Sequence, residues 1–157
     1  MYKKILITTD GSAVSSKTAC AGVAFAEQMQ AEILALYVAP EYQYPVYIEL
    51  VPPSYPGEDE YRAAMLRAGN GHMQSVLDAA ARRGLASAGL TAFSDNPALK
   101  IVEVAAQQHC DLIFIGSHGR SGWGRLLLGS VTNKVLSSTR LPVLVHRLIK
   151  EPLAQEI

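Results

Sequence analysis

The chain lacks most of the features that would give it an unusual architecture. Its 157 residues hold two cysteines and one tryptophan, and its 14 Lys and Arg are matched by 14 Asp and Glu. A formal net charge of zero supplies no basic surface for a phosphate backbone or an anionic bilayer, so neither nucleic acid nor membrane is expected as a partner. Long hydrophobic runs are missing too. Ile5-Leu6-Ile7 gives way at once to Thr8-Thr9-Asp10, too short a stretch for a secretory signal or a membrane span, and a cytoplasmic location is expected. Cys20 and Cys110 lie far apart in apolar surroundings and suggest reduced, buried thiols rather than a disulfide. The histidines at 72, 109, 118 and 146 follow no metal-ligand spacing, and no Gly-x4-Gly-Lys-[Ser/Thr] loop is present.

What is there is apolar residues, 49% of the chain, enough for the core of one domain over residues 1–149, with 150–157 as a tail. Lys4–Thr8, Glu32–Val38, Asp111–Ile115 and Pro142–His146 are short apolar runs without alternation, as in strands covered on both faces; Leu90–Ser94 is a weaker fifth. Helical spacing falls between them, over Ser12–Gln30, Tyr61–Arg83, Leu99–His109 and Ser130–Ser138, with Gly69-Asn70-Gly71 predicting a late start or a kink in the second. Strands alternating with helices make this an α/β domain with a parallel sheet. Pro40–Gly57, with Pro40, Pro45, Pro52, Pro53 and Pro56 among four tyrosines, can be neither regular helix nor central strand. It is either an excursion whose tyrosines pack back on the body, or a lid or partner-binding loop.

The chemistry is concentrated in Gly116–Ser130, which follows a buried strand and leads into a helix. Ligands of open α/β sheets collect at the carboxyl ends of strands. Glycines let backbone N–H groups approach a phosphate, and a helix start adds unpaired N–H groups and a positive dipole end. Gly116, Gly119, Gly129 and Ser130 can form such a cradle, whereas Trp123, Leu126, Leu127 and Leu128 suit core covering. At the end of the first strand, Asp10 either bonds a ribose or adenine group or caps the first helix. Val38 ends the second strand, where its backbone could meet an adenine edge or its side chain simply fill the core.

These residues resemble the universal stress protein family over essentially the whole chain. Gly116, Gly119 and Gly129-Ser130 satisfy the Gly-x2-Gly-x9-Gly-[Ser/Thr] spacing of its ATP-binding subgroup, and Ile5–Ser12, Asp111–Gly119, Gly129–Thr132 and Leu141–Val145 match in order. The resemblance implies a five-stranded parallel sheet in order 3-2-1-4-5 with flanking helices, usually as a homodimer. It implies Thr9 and Asp10 against ribose and base, Val38 against adenine, and Gly116, Gly119, Gly129 and Ser130 around ribose and phosphates. His118, Arg120, Val131 and Thr132 fall in the same phosphate-facing stretch. The ligand would be ATP, or ADP or AMP, with Mg2+ held mainly by the phosphates, and the role a nucleotide-binding regulator in stress survival. Ser94-Asp95-Asn96-Pro97 departs from the glycine often found after the third strand.

Two further readings compete with binding. A slow ATP hydrolase would draw on Asp10, His118, Arg120 and Arg125, which form no obvious dedicated pair. A phosphoacceptor would need an acidic cluster around Asp10, and the sequence offers only Asp95, in a turn. The last strand, Leu141–His146, is apolar and falls at a sheet edge in the implied order, which predicts a homodimer through it.

Overall fold

The computed structural model describes residues 1–118 and 128–148. The proposed tail at 150–157 lies outside the described residues, as do Gly119, Arg120, Trp123 and Arg125. The elements run β1 (Lys4–Thr8), α1 (Ala13–Met29), β2 (Glu32–Ala39), a single 3-10 turn (Ile48–Leu50), α2 (Glu58–Arg82), β3 (Ser87–Phe93), α3 (Pro97–Gln107), β4 (Leu112–Gly116), α4 (Ser130–Ser138) and β5 (Val143–His146). The strands form one five-stranded sheet in the order β3-β2-β1-β4-β5, every pairing parallel.

The unbroken apolar runs have a direct cause: both faces of the inner strands are covered. Ile5 and Ile7 of β1 join Ile33, Ala35 and Tyr37 of β2 and Phe114 of β4 under α1 and α2, where Val23, Met73 and Val76 close the layer. Leu6, Leu34, Leu36, Ile113 and Ile115 face the other way, under Ile101 and Val104 of α3 and Val135 of α4. Each fully buried aliphatic side chain contributes about 1.5–3 kcal/mol, so two such layers hold the strand register firmly.

The helix ends are built locally. Ser12 caps α1, its hydroxyl accepting from the Ser15 N–H at 3.1 Å. Asn96 caps α3, accepting from the Leu99 N–H at 3.4 Å, with Pro97 opening the first turn. The Ser94–Pro97 corner therefore needs no glycine: Ser94 Oγ accepts from the Asn96 N–H at 3.0 Å and turns the chain into the cap.

Three expectations are corrected. Helix α2 begins at Glu58, not late, and continues through Gly69-Asn70-Gly71. An acidic first turn of Glu58, Asp59 and Glu60 suits its dipole, and buried Met73, Val76, Ala79 and Ala80 outweigh the glycine cost of about 1 kcal/mol each. Gly69 serves close packing, since a Cβ there would stand 2.1 Å from Thr91 Oγ1. Strand β3 starts at Ser87 rather than Leu90, its first three residues exposed at the end of an edge strand. Cys110 is buried as expected but Cys20 is exposed on the outer side of α1.

Candidate functional site

The strand order reverses between β1 and β4, where the crossovers pass to opposite faces and leave a crevice at the carboxyl edge. A cleft of about 270 Å³ occupies it. Its walls come from Thr8, Thr9 and Asp10 after β1, Val38 and Pro40 after β2, Gly116 and His118 after β4, Val131 and Thr132 of α4, and Pro97 and Ile101 of α3. Seven of the sequence-predicted site residues (Thr9, Asp10, Val38, Gly116, His118, Val131 and Thr132) are thus brought together. Gly129 and Ser130 sit beside it at the start of α4, with Ser130 exposed. Gly119 and Arg120 fall outside the described residues.

The turn after β1 is closed by its own hydrogen bonds. Thr9 Oγ1 accepts from Ser15 Oγ at 3.1 Å and from the Gly11 N–H at 3.3 Å, and Thr9 is buried. Asp10 Oδ1 accepts from the Ser12 N–H at 2.9 Å, while the Asp10 N–H donates to Ser15 Oγ at 3.0 Å. Asp10 thus shapes the entry to α1, whose N-cap is Ser12, and it also lines the cleft. Gly11 has φ +77°, and a Cβ there would stand 2.1 Å from His72 Nδ1, so any other residue would strain the turn. Ser15 is a wall residue that the sequence reading missed; its spacing from Ser12 is the signal that was available.

Across the cleft, the sheet's own ladder leaves Val38 beyond its last β1–β2 rung. Alternate residues of β2 bond to alternate neighbours: Leu36 C=O accepts from the Thr9 N–H at 2.9 Å on the β1 side, and Ala39 C=O from the Ser94 N–H at 2.9 Å on the β3 side. Val38, next after Leu36 on the β1 side, directs its N–H and C=O past the end of β1 and into the cleft. A donor and an acceptor on one residue match the Watson–Crick edge of adenine.

The start of α4 is more specific than the sequence could say. The Gly129 N–H is not available to a phosphate, because it donates to Ser117 C=O at 2.7 Å. Thr132 Oγ1 is committed as well, donating to Gly116 C=O at 2.7 Å with Thr132 buried. These two bonds tie α4 to the end of β4, and Ser130, Val131 and Thr132 form its first turn, whose amides have no partner within the helix.

Among the described residues of the cleft, His118 carries a buried polar atom without a partner. Its Nδ1 lies 3.0 Å from Ser117 Oγ, while Nε2 is buried with no hydrogen-bond partner. A buried ring nitrogen left alone in a ligand cleft fits a polar ligand atom. Among the described residues no group of three or more His, Cys, Asp and Glu could hold a metal. Burial pushes the Cys110 thiol up to about 11, so it is no nucleophile at neutral pH.

The family model of the universal stress protein family matches residues 1–147. The chain belongs to that family. Over 156 residues it is 33% identical to universal stress protein MJ0531 of Methanocaldococcus jannaschii, covering 97% of this chain and 84% of that one. Universal stress protein YxiE of Bacillus subtilis is 32% identical, covering 94% and 100%. Among solved structures, protein MJ0577 superposes with a TM-score of 0.78 at 27% identity, covering 96% of this chain and 99% of its own. More distant structures share the fold. A universal stress protein in complex with cAMP has a TM-score of 0.65 at 19% identity, covering 93% and 97%. One from Archaeoglobus fulgidus in complex with dAMP has 0.61 at 14%, covering 92% and 97%. No helix among the described residues is long and apolar enough to cross a membrane.

Proposed function

We propose that the cleft binds an adenine nucleotide, ATP first and ADP or AMP as alternatives, and that this universal stress protein acts as a cytoplasmic nucleotide-binding regulator of stress survival. The observation that carries the reading is the pairing, in one cleft, of the outward-facing Val38 backbone with the first-turn amides of α4. The first suits the base, the second the phosphates. A cleft of about 270 Å³ is slightly below the ~300–1,000 Å³ of drug-sized pockets, which suits the nucleoside with the phosphates running out along α4. The fold relatives in complex with cAMP and dAMP support an adenine ligand. Mg2+ would be held through the phosphates.

Binding is favoured over hydrolysis because polar side chains of the cleft wall are already engaged. Thr9 Oγ1, Asp10 Oδ1 and Thr132 Oγ1 all hold the fold together, which among the described residues leaves His118, held at Nδ1 by Ser117 Oγ, as the remaining candidate base. Slow turnover through the unpartnered Nε2 of His118 is the second reading, and a single-turnover hydrolysis assay separates the two. β5 is an edge strand whose four residues are each half-buried, and a two-fold contact along it would complete their burial in a homodimer. Sedimentation showing only monomer at micromolar concentration would remove the dimer from the account. The first test of the ligand is direct: denature the purified protein and identify the small molecule released. An adenine nucleotide is expected; a different ligand class overturns the reading.

A further inference from the structure

The loop between β2 and α2 is irregular in trace but stapled from within. Tyr42 is its hub, with ring centroids 5.0 Å from Tyr44, 6.2 Å from Tyr55 and 5.6 Å from Tyr61. The hydroxyls tie the rings to the chain: Tyr42 donates to Pro56 C=O at 2.8 Å, Tyr55 to Gln43 C=O at 2.6 Å, Tyr61 to Pro40 C=O at 2.9 Å, and Tyr44 to the Glu58 carboxylate. Asp95 holds the root, accepting from the Glu41 N–H at 3.0 Å. Such a scaffold could hide the loop's apolar side chains, yet it displays them. Val46 is 85% exposed, Leu50 80% and Tyr47 70%, and Tyr44 and Tyr55 are exposed beside them. Leaving this much apolar surface in water is unfavourable, and such patches mark interaction sites.

The charge around the patch selects the partner. Residues 40–60 carry Glu41, Glu49, Glu58, Asp59 and Glu60 and no Lys, Arg or His, in a chain whose net charge is zero. All five acids are exposed, as is Asp95. The nearby Arg62 is engaged over the Phe93 ring, 4.1 Å from its centroid. A second copy of this surface would bring like charge against like charge, and an anionic bilayer would be repelled. We propose that this tyrosine-scaffolded loop is a docking surface for a basic, apolar-containing peptide segment of another protein, whose aliphatic or aromatic side chains cover Val46, Tyr47 and Leu50 while its Arg or Lys residues meet the acidic rim. This surface is separate from the nucleotide cleft, which among the described side chains the loop lines only at Pro40.

The test uses the full chain and a Val46→Ser/Tyr47→Ser/Leu50→Ser variant. These side chains are at least 70% exposed, so the variant should melt with the wild type. Random peptides displayed on phage are selected against both proteins in parallel. The wild type should enrich peptides combining Arg or Lys with Leu, Phe or Met, and the variant should not. By fluorescence anisotropy an enriched peptide should lose affinity about tenfold or more on the variant, and should weaken as salt rises from about 0.1 to about 1 M. The proposal is overturned if both proteins enrich the same peptides, if neither enriches any, or if the wild type selects acidic ones. Concentration-dependent self-association in sedimentation that the triple substitution abolishes would assign the surface to a second copy instead. Co-sedimentation of the wild type alone with vesicles of phosphatidylcholine and phosphatidylglycerol would assign it to a bilayer.

Discussion

Two connections leave the same edge of the sheet from neighbouring strands, and they are built in opposite ways. The one after β1 needs only Thr9–Ser12 to reach α1. Its polar side chains are spent on one another and on the first turn of the helix, and it forms one wall of the small cleft. The one after β2 runs from Pro40 to Gly57 and is held by rings rather than by a helix cap, and it shows Val46, Tyr47 and Leu50 to solvent. A tight turn with saturated hydrogen bonds fixes atoms to the precision a small ligand demands. A long loop stapled at its base holds a surface in place without closing it, which suits a broad contact.

Mutations should separate the two. The largest effect belongs to the cleft. Gly129 has φ −59° and ψ 154°, a conformation valine can adopt, so Gly129→Val should fold. Its side chain would stand before the α4 amides. Losing two charge-assisted bonds of roughly 1.5–3 kcal/mol each should weaken ATP binding by about two to four decades. Thermal melting checks the fold, and calorimetry the affinity.

Next is Gly11→Ala. A left-handed φ costs alanine roughly 1–2 kcal/mol, and the new Cβ would meet the His72 ring at 2.1 Å. The melting temperature should fall by about 2–4 °C per kcal/mol, with ATP affinity falling too as Asp10 moves. A protein with this substitution that melts and binds like wild type would show that the turn is not as tightly set as its bonds indicate. Ser130→Ala removes one exposed hydroxyl and leaves the first-turn amides, so ATP affinity should fall by about one decade or less. The smallest effect is expected in the long loop. Gly57 has negative φ and caps α2 with no side-chain bond, and a Cβ there meets nothing within 4 Å. Gly57→Ser should change stability by only a few tenths of a kcal/mol and leave ATP affinity unchanged, by the same two measurements.

How much of this was legible beforehand follows from the range of the interactions. The inner strands could be read because burial on both faces leaves Ile5–Ile7, Ile33–Leu36 and Ile113–Ile115 no polar position. β3 was cut short because Ser87, Ala88 and Gly89 are exposed at an edge and carry no apolar signature. The start of α2 lies in the acidic triplet at 58–60, which carries no apolar periodicity, and Gly69-Asn70-Gly71 pointed to a later one. In the cleft, residue types and positions were visible as motifs, but the use of each atom was not. That the Gly129 N–H belongs to Ser117, and the Thr132 hydroxyl to Gly116, depends on β4 and α4 meeting across the intervening chain. The tyrosine cluster was hidden for the same reason, since Tyr42 meets Tyr61 only once α2 has packed.

The central claim is that the cleft between β1 and β4 takes an adenine nucleotide with its phosphates at the start of α4. Calorimetric titration of ATP into nucleotide-free protein, run beside folded Gly129→Val, tests it most directly. The account predicts saturable binding by the wild type and none detectable for Gly129→Val at unchanged melting temperature. Wild-type affinity in a folded Gly129→Val protein would contradict it.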